Sequence, residues 1–507
     1  MDKRVKLLVS SFFIGVLLSL IVTAVTPYPF HSVFWGSFGL AFLLSLAFFY
    51  SLKFLDGRKF FIILILSATI FRVGCGVMLT KMLPNWGYDE ETYKNGYIFR
   101  DAYQRDGQAW QIVSGNYPIF LAFTEEFVSD QYGGLLAFSA LIYKIFTPQA
   151  HVQTNIILVA VLVYMIGAIW FLRGLKDSGE PVQKFALILY LFFPDAILLG
   201  VSQMREPFLI GFSAILFGLL LDYSISKKVR IVGSILVIVC SLLISYKIGI
   251  FLVGGVFLWY FLHHSAVRSK MNSSRYIFIG LVLFILIAIV FNSRWLNWAG
   301  YYDSYLTVQG SGWLQSISAK YGNEFMKPFL TIYGILRPVL PATLFEPSLA
   351  VTQIISIVRA LGWALIFPLY LFGFVFALRQ KGFERGKWII FWGLLLFWII
   401  VSSYRAGGDM WDNPRYRYSL LIFFALMLSN TWDYWRKSKD HWMVVFYISE
   451  GIYLLFFSQW YISRYTNIFG KLDFLVMIGL IAGLIGIVFV FGLIFERKRF
   501  LKLNGRN

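Results

Sequence analysis

Apolar runs of membrane length recur along almost the whole chain, separated by short basic clusters and by two long polar stretches. They fall at about 7–27, 33–54, 60–81, 154–173, 182–201, 206–224, 231–245, 249–263, 276–292, 353–377, 388–403, 416–430, 442–461 and 473–494. A helix needs roughly 20 apolar residues to cross a ~30 Å hydrocarbon layer. The runs show no alternation of apolar and polar positions, and backbone in lipid must satisfy its own hydrogen bonds within the segment. Helices are therefore expected and barrel strands are not. The pattern predicts an all-α polytopic membrane protein with about 14 transmembrane helices. A shorter apolar segment at 133–146 is expected to re-enter or to lie along the membrane, because a full crossing there would upset the parity of the loops.

One polar stretch stands apart. From about Pro84 to Tyr132 eight carboxylates fall in a single connection, Asp89, Glu90, Glu91, Asp101, Asp106, Glu125, Glu126 and Asp130, although the chain has only 26 Asp plus Glu against 45 Lys plus Arg. Solubility alone does not require that concentration, so the loop is the first place to seek chemistry. Its segment ETYKNGYIFRDAYQRDGQAW has the spacing of one or two amphipathic helices lying on the membrane, with Tyr93, Tyr97, Ile98 and Tyr103 at headgroup depth. The resulting division is 1–83 transmembrane helices, 84–132 acidic outer loop, 133–291 transmembrane core, 292–352 second outer loop and 353–507 C-terminal transmembrane helices.

Composition agrees with a membrane protein: 59% of the 507 residues are hydrophobic, 14% are charged, and the mean hydropathy is +0.70. Polar surface for a soluble fold of this length is lacking. The net charge of +19 lies in clusters between the helices, such as SLKFLDGRKF, SKKVR and ERKRFLKLNGRN. Such clusters mark cytoplasmic loops, so the charge reflects topology rather than nucleic-acid binding. With a cytoplasmic N-terminus and a first helix retained as an anchor, both long polar stretches face outward in the cell membrane. The two cysteines, Cys75 and Cys240, sit inside apolar runs and exclude a disulfide framework.

Three constellations could carry chemistry. Asp89-Glu90-Glu91 follows a predicted helix end, where a carboxylate near aromatic rings could act as a general base with a raised pKa; the same acids could merely cap a helix. Arg405, Arg415 and Arg417 border a Gly-Gly turn, the latter two at a predicted helix start, where guanidinium forks and the helix dipole suit a phosphate. Snorkelling at a helix end is the plainer alternative. Arg205-Glu206 opens another helix, as a membrane-edge ion pair or a functional one. The Trp and Tyr residues of 292–352 suit sugar faces and the interfacial belt alike. No phosphate loop, dinucleotide fingerprint or Gly-x-Ser-x-Gly occurs, and His263-His264 lies in a basic loop.

In this order the parts resemble the GT-C superfamily of polyprenyl-phosphate-dependent membrane glycosyltransferases, in particular the branch of protein O-mannosyltransferases and lipid-modifying enzymes. The features concerned are Asp89-Glu90 with Tyr93 after it, Asp130 to Phe146 with Lys144, Phe193-Pro194, Arg205-Glu206 and Arg415-Tyr416-Arg417. Together they cover about residues 84–230 and 402–430. The chain departs from the family in two helices placed before the acidic loop and in Gly133-Gly134 at a position usually held by proline. The resemblance implies inverting transfer of a sugar from a polyprenyl-phosphate donor to a hydroxyl of a lipid, glycan or protein at the outer face. Asp89 would be the base, with Glu90 as fallback. Arg205, Arg405, Arg415 and Arg417 would hold the donor phosphate, and Glu206, Asp130, Tyr132 and Tyr93 would bind sugar or acceptor. A divalent cation, Mg2+ or Mn2+, would fall to Asp89 and Glu90 if the reaction uses one. Rival readings are an O-antigen polymerase or ligase using polyprenyl-diphosphate-linked glycans, and a lipid or glycolipid transporter.

Overall fold

The computed structural model describes residues 3–127, 133–268, 312–345, 348–409, 411–466 and 472–503, with a few single positions between them. The protein is nearly all helical and contains no strand among the described residues. Nine helices there are long and apolar enough to cross a membrane, or ten if one bent pair counts as a span. The sequence pattern predicts about 14 spans, and the shortfall has identifiable causes. The run at 206–224 gives a helix of only 16 residues, the helix over 231–245 begins earlier with Lys227, Lys228 and Arg230, the run at 416–430 is split between two helices, and 276–292 lies almost wholly outside the described residues. The chain forms two compact units, one of residues 1–290 with 418–425 and the other of residues 291–417 with 426–507.

In the first unit the membrane-length helices are α1 (Lys3–Val25), α2 (Phe30–Leu52), α3 (Lys59–Trp86), α7 (Gln153–Gly174) and α12 (Tyr246–Arg268). Between α3 and α7 stand the short α4 (Glu91–Lys94), α5 (Arg100–Ser114) and α6 (Gly134–Phe146). After α7 come α8 (Glu180–Phe192), α9 (Pro194–Gly200), α10 (Glu206–Leu221) and α11 (Lys227–Ile244). The centre of this unit is α7 against α10, both apolar all round and buried along most of their length. Glycines allow the close approach: a Cβ on Gly167 would lie 2.7 Å from the Gly211 Cα, and one on Gly218 would lie 2.2 Å from the Trp170 carbonyl. Backbones that touch through small residues gain van der Waals contact that larger side chains would prevent.

The segment 182–201 is bent by 49° between α8 and α9. Pro194 has no N–H to give to the Tyr190 carbonyl, so the helix breaks there. The freed backbone groups are met from other helices. The Tyr164 hydroxyl donates to Tyr190 O, and Arg72, fully buried on α3, donates to Leu191 O at 2.8 Å and Ala196 O at 2.6 Å. An irregular backbone at membrane depth is tolerated when protein donors satisfy it in this way.

The second unit contains α13 (Gly312–Tyr321), α14 (Asn323–Leu336), α15 (Leu340–Phe345), α16 (Ala350–Arg379), α17 (Gly382–Ala406), α18 (Asp412–Tyr418), α19 (Leu421–Ser438), α20 (Trp442–Thr466) and α21 (Phe474–Leu503), apart from the residues of α18 and α19 that belong to the first. The described part of 292–352, expected to be a loop, is thus largely helical. It is packed as well: α14 lies on α17 and α15 on α20. Val339 and Ala342 share an apolar core with Phe457, Trp460, Tyr461, Met477 and Ile481, while Trp363 donates to Ile335 O at 3.0 Å. Aromatic residues there meet core partners, which explains a loop-like composition folding as helix.

Candidate functional site

The polar loop of the first unit is built around a carboxylate that the sequence reading did not select. Along α5 the residues Ala102, Arg105, Asp106, Ala109 and Ile112 are buried at helical spacing, which leaves one acid on the inward stripe. Asp106 accepts hydrogen bonds from the Tyr97 hydroxyl at 2.5 Å and the Tyr143 hydroxyl at 2.7 Å, and its Oδ2 lies 2.8 Å from His151 Nε2. The His151 ring is stacked on Trp110 and meets Tyr143 edge-on. Burial by itself pushes the Asp106 carboxyl up, but His151 and the two hydroxyls outweigh it and hold the group below the usual carboxylate value. Burial, together with the charge of Asp106, pushes the phenols of Tyr97 and Tyr143 well above theirs.

Two glycines let this arrangement close. Gly133 has φ +70° and caps α6, where a Cβ would meet Ala122 O at 2.4 Å. A Cβ on Gly134 would lie 2.0 Å from Leu243 O, so α6 passes close to α11 only without one. The departure from proline at this position therefore has a packing reason. On the far side of Asp106, Arg105 donates to Gln203 O and Gln203 Nε2 donates to Gln153 O at 3.0 Å. Gln203 adopts φ +55° in the turn before α10. The loop is thereby tied to the turn that carries Arg205 and Glu206.

The acids singled out from sequence lie elsewhere on the loop. Asp89 has a side chain 92% exposed and pairs with Lys94 at 2.7 Å. Hydrogen bonding and charge from Lys94 hold its carboxyl below the ordinary value. The expectation of a base raised by burial is corrected here, because no ring or helix covers it. Glu90 is exposed as well. Tyr93 is buried instead, with its phenol pushed up to about 12, chiefly by desolvation. Tyr97 and Ile98 are likewise inside the protein rather than at headgroup depth, because the Tyr97 hydroxyl is engaged by Asp106. Arg205 and Glu206 open α10 as expected, with Glu206 buried and Pro207 in the first turn. Asp130 and Tyr132 lie outside the described residues.

In the second unit the segment Tyr404–Arg417 gathers cations. Lys327 donates to Tyr404 O and Arg337 to Gly408 O. Arg359 donates to Trp411 O at 3.1 Å and lies over the Trp411 ring. Arg405 and Arg415 both lie on the ring of Tyr416, at 4.0 and 4.8 Å from its centre. Arg417, fully buried, donates to Gly334 O at 3.1 Å and Arg337 O at 2.7 Å and stacks on Trp363. The placement of Arg415 and Arg417 at a helix start is corrected: both occupy the last turn of the seven-residue α18. A helix C-terminus favours cations but offers no N–H groups to an anion. Arg417 is thus first of all a cross-link between backbone segments, while Arg405 remains only partly buried.

Asp89 and Glu90 belong to no grouping of metal-ligand residues among the described residues, and the Lys94 ammonium already occupies Asp89. They do not fit a divalent ion as they stand. Asp440, His441 and Glu496 do bring ligand atoms together, but Arg379 bridges the two acids at 3.2 and 2.7 Å and makes an ion-pair clasp of them.

Compared with known protein families, curated proteins and solved structures, the chain finds no match in any of the three. The site therefore rests on residues and geometry alone.

Proposed function

We propose that this chain is a membrane-embedded glycosyltransferase of GT-C type, which moves a sugar from a polyprenyl-phosphate donor to an acceptor hydroxyl at the outer face of the cell membrane. The observation that carries this reading is the set of cations around Tyr404–Arg417. Six cations, Lys327, Arg337, Arg359, Arg405, Arg415 and Arg417, converge on this segment. Cations brought out of water favour an anion beside them, and a departing phosphate, whose charge grows in the transition state, is such an anion. Arg405 and Arg415, sharing one ring, are the pair best placed to offer guanidinium forks. The hydroxyl nucleophile loses its proton to a group of the polar loop, which the sequence assigns to Asp89 with Glu90 behind it.

A polymerase or ligase using polyprenyl-diphosphate-linked glycans draws on the same cations and is the nearest alternative. The test is to supply the purified protein with monophosphate-linked and diphosphate-linked sugars separately. Turnover with the monophosphate donor supports the proposal, and turnover with the diphosphate donor alone replaces it by the alternative. Lipid movement across vesicles without any transfer would favour a transporter. Sidedness is read independently by cysteines at Gln104 and Lys228, both exposed: an impermeant thiol reagent should label the first in intact cells and the second only after permeabilisation.

A further inference from the structure

A base should have a lone pair available near the working pH and a fixed direction. Asp89 has neither feature strongly: its carboxyl is held below the ordinary range by Lys94 and its side chain lies in solvent. His151 is built differently. Ionised Asp106 can only accept, so the 2.8 Å contact is a donation from His151 Nε2, and the neutral ring then carries its lone pair on Nδ1. Among the described residues nothing bonds Nδ1. The ring is fixed by Trp110, stacked at 5.4 Å and 11°, and by the edge contact with Tyr143. Its side chain remains 22% exposed against 2% for Asp106, so the ring reaches the surface while its orienting acid does not.

We propose that His151, oriented by Asp106, accepts the proton of the hydroxyl nucleophile. The inference rests on the transferase reading above and moves the base from Asp89 to this pair. In the step, the hydroxyl O–H bond breaks and its proton goes to Nδ1 as the oxygen forms a bond to the anomeric carbon. The bond from that carbon to the phosphate oxygen breaks, and its electron pair leaves with the polyprenyl phosphate. The imidazolium left beside the Asp106 carboxylate is stabilised by it and later returns its proton to water. A carboxylate that orients and steadies an imidazole is the arrangement that activates nucleophiles on many unrelated folds. The charged and titratable groups around the ring are Asp106 and Arg105 on α5, Tyr97 before α5 and Tyr143 on α6, with Tyr28 acting on Tyr143. Arg105 is directed to Gln203 O.

The test uses the full-length protein in detergent, with synthetic polyprenyl-phosphate-linked hexoses as donors and a membrane extract as acceptor. His151→Gln keeps an amide able to donate to Asp106 and should retain the wild-type melting temperature. It should lose about 10²–10⁴-fold in kcat with the donor KM little changed. His151→Ala should recover part of the rate on addition of imidazole, which a merely structural histidine would not. Asp106→Asn removes the charge that steadies the imidazolium, so the acid limb of the rate profile should move to lower pH. If wild type turns over but His151→Gln keeps both its rate and its pH profile, the pair is not the base and the transferase reading survives. If wild type fails with every donor, that reading falls and this inference falls with it.

Discussion

The polar loop of the first unit and the Tyr404–Arg417 segment of the second both take charge out of water, and they compensate it by opposite means. In the loop one carboxylate, Asp106, is met by two phenols and an imidazole. Its oxygens are satisfied from within, and what remains open is the far nitrogen of His151. In the segment the cations rest on backbone carbonyls and aromatic faces. Carbonyl dipoles and ring quadrupoles stabilise a cation without an opposite charge of their own. An acid enclosed by its own donors can orient a base, whereas cations gathered on carbonyls and rings suit the anion of the proposed donor.

The contrast can be broken most severely at Arg417. Replacing it by Met takes the buried donor from the Arg337 carbonyl, while Gly334 O keeps the amide of Asn413, and the loss should be about 1–3 kcal/mol of stability, seen as a lowered melting temperature in detergent before any assay. Arg415 is buried as well, at 3% exposure, so the informative change is Arg415→Lys, which keeps the charge and should leave the melting temperature near wild type while weakening donor use. If the two variants behave alike, the distinction between a cross-linking arginine and a ligand-facing one is wrong.

Asp106→Ala should cost roughly 1–3 kcal/mol, since it strands the Tyr97 and Tyr143 hydroxyls in the interior. Asp89→Ala should leave thermal stability unchanged because that side chain lies in water. The activity of Asp89→Asn decides between the two acids: a loss on the order of 10²–10⁴ returns the base to Asp89, and near wild-type turnover favours His151.

A smaller effect follows from protonation. The Asp106 carboxyl is lowered in the folded protein, so its stabilising contribution is complete above the ordinary carboxylate value of about 3.9 and is lost as pH falls through the lowered one. The gap in melting temperature between wild type and Asp106→Asn should therefore stay constant from neutrality down to about pH 4 and narrow only below it. Glu91→Gln, a change at an exposed helix start, should alter neither stability nor rate appreciably.

The apolar periodicity of the chain determined its helices, because membrane-length apolar segments have no other way to satisfy their backbone. It placed α1, α2, α7 and α16 within four residues of their ends and located α3, α17, α20 and α21, whose helices run further than the apolar runs at one end, by nine residues in α21. It also placed the opening of α10 at Arg205-Glu206 and marked Phe193-Pro194, where a missing N–H breaks the helix. The acidic loop was legible as a concentration of charge, yet which of its acids is enclosed was not. Composition treats Asp89 and Asp106 alike, and the one local clue is that Asp106 shares an inward stripe with Ala102, Ala109 and Ile112. The partners that make it distinctive, Tyr143 and His151, lie 37 and 45 residues away. The packing of α6 on α5, and the return of the chain after α6, bring them to it. Likewise, the sequence shows Arg415 and Arg417 as a matched pair. Tertiary packing separates them, because the carbonyls of Gly334 and Arg337 take up Arg417 while Arg415 lies on the ring of Tyr416. Contacts between distant segments decide which charge is buried and by what, and that information is not local to either residue.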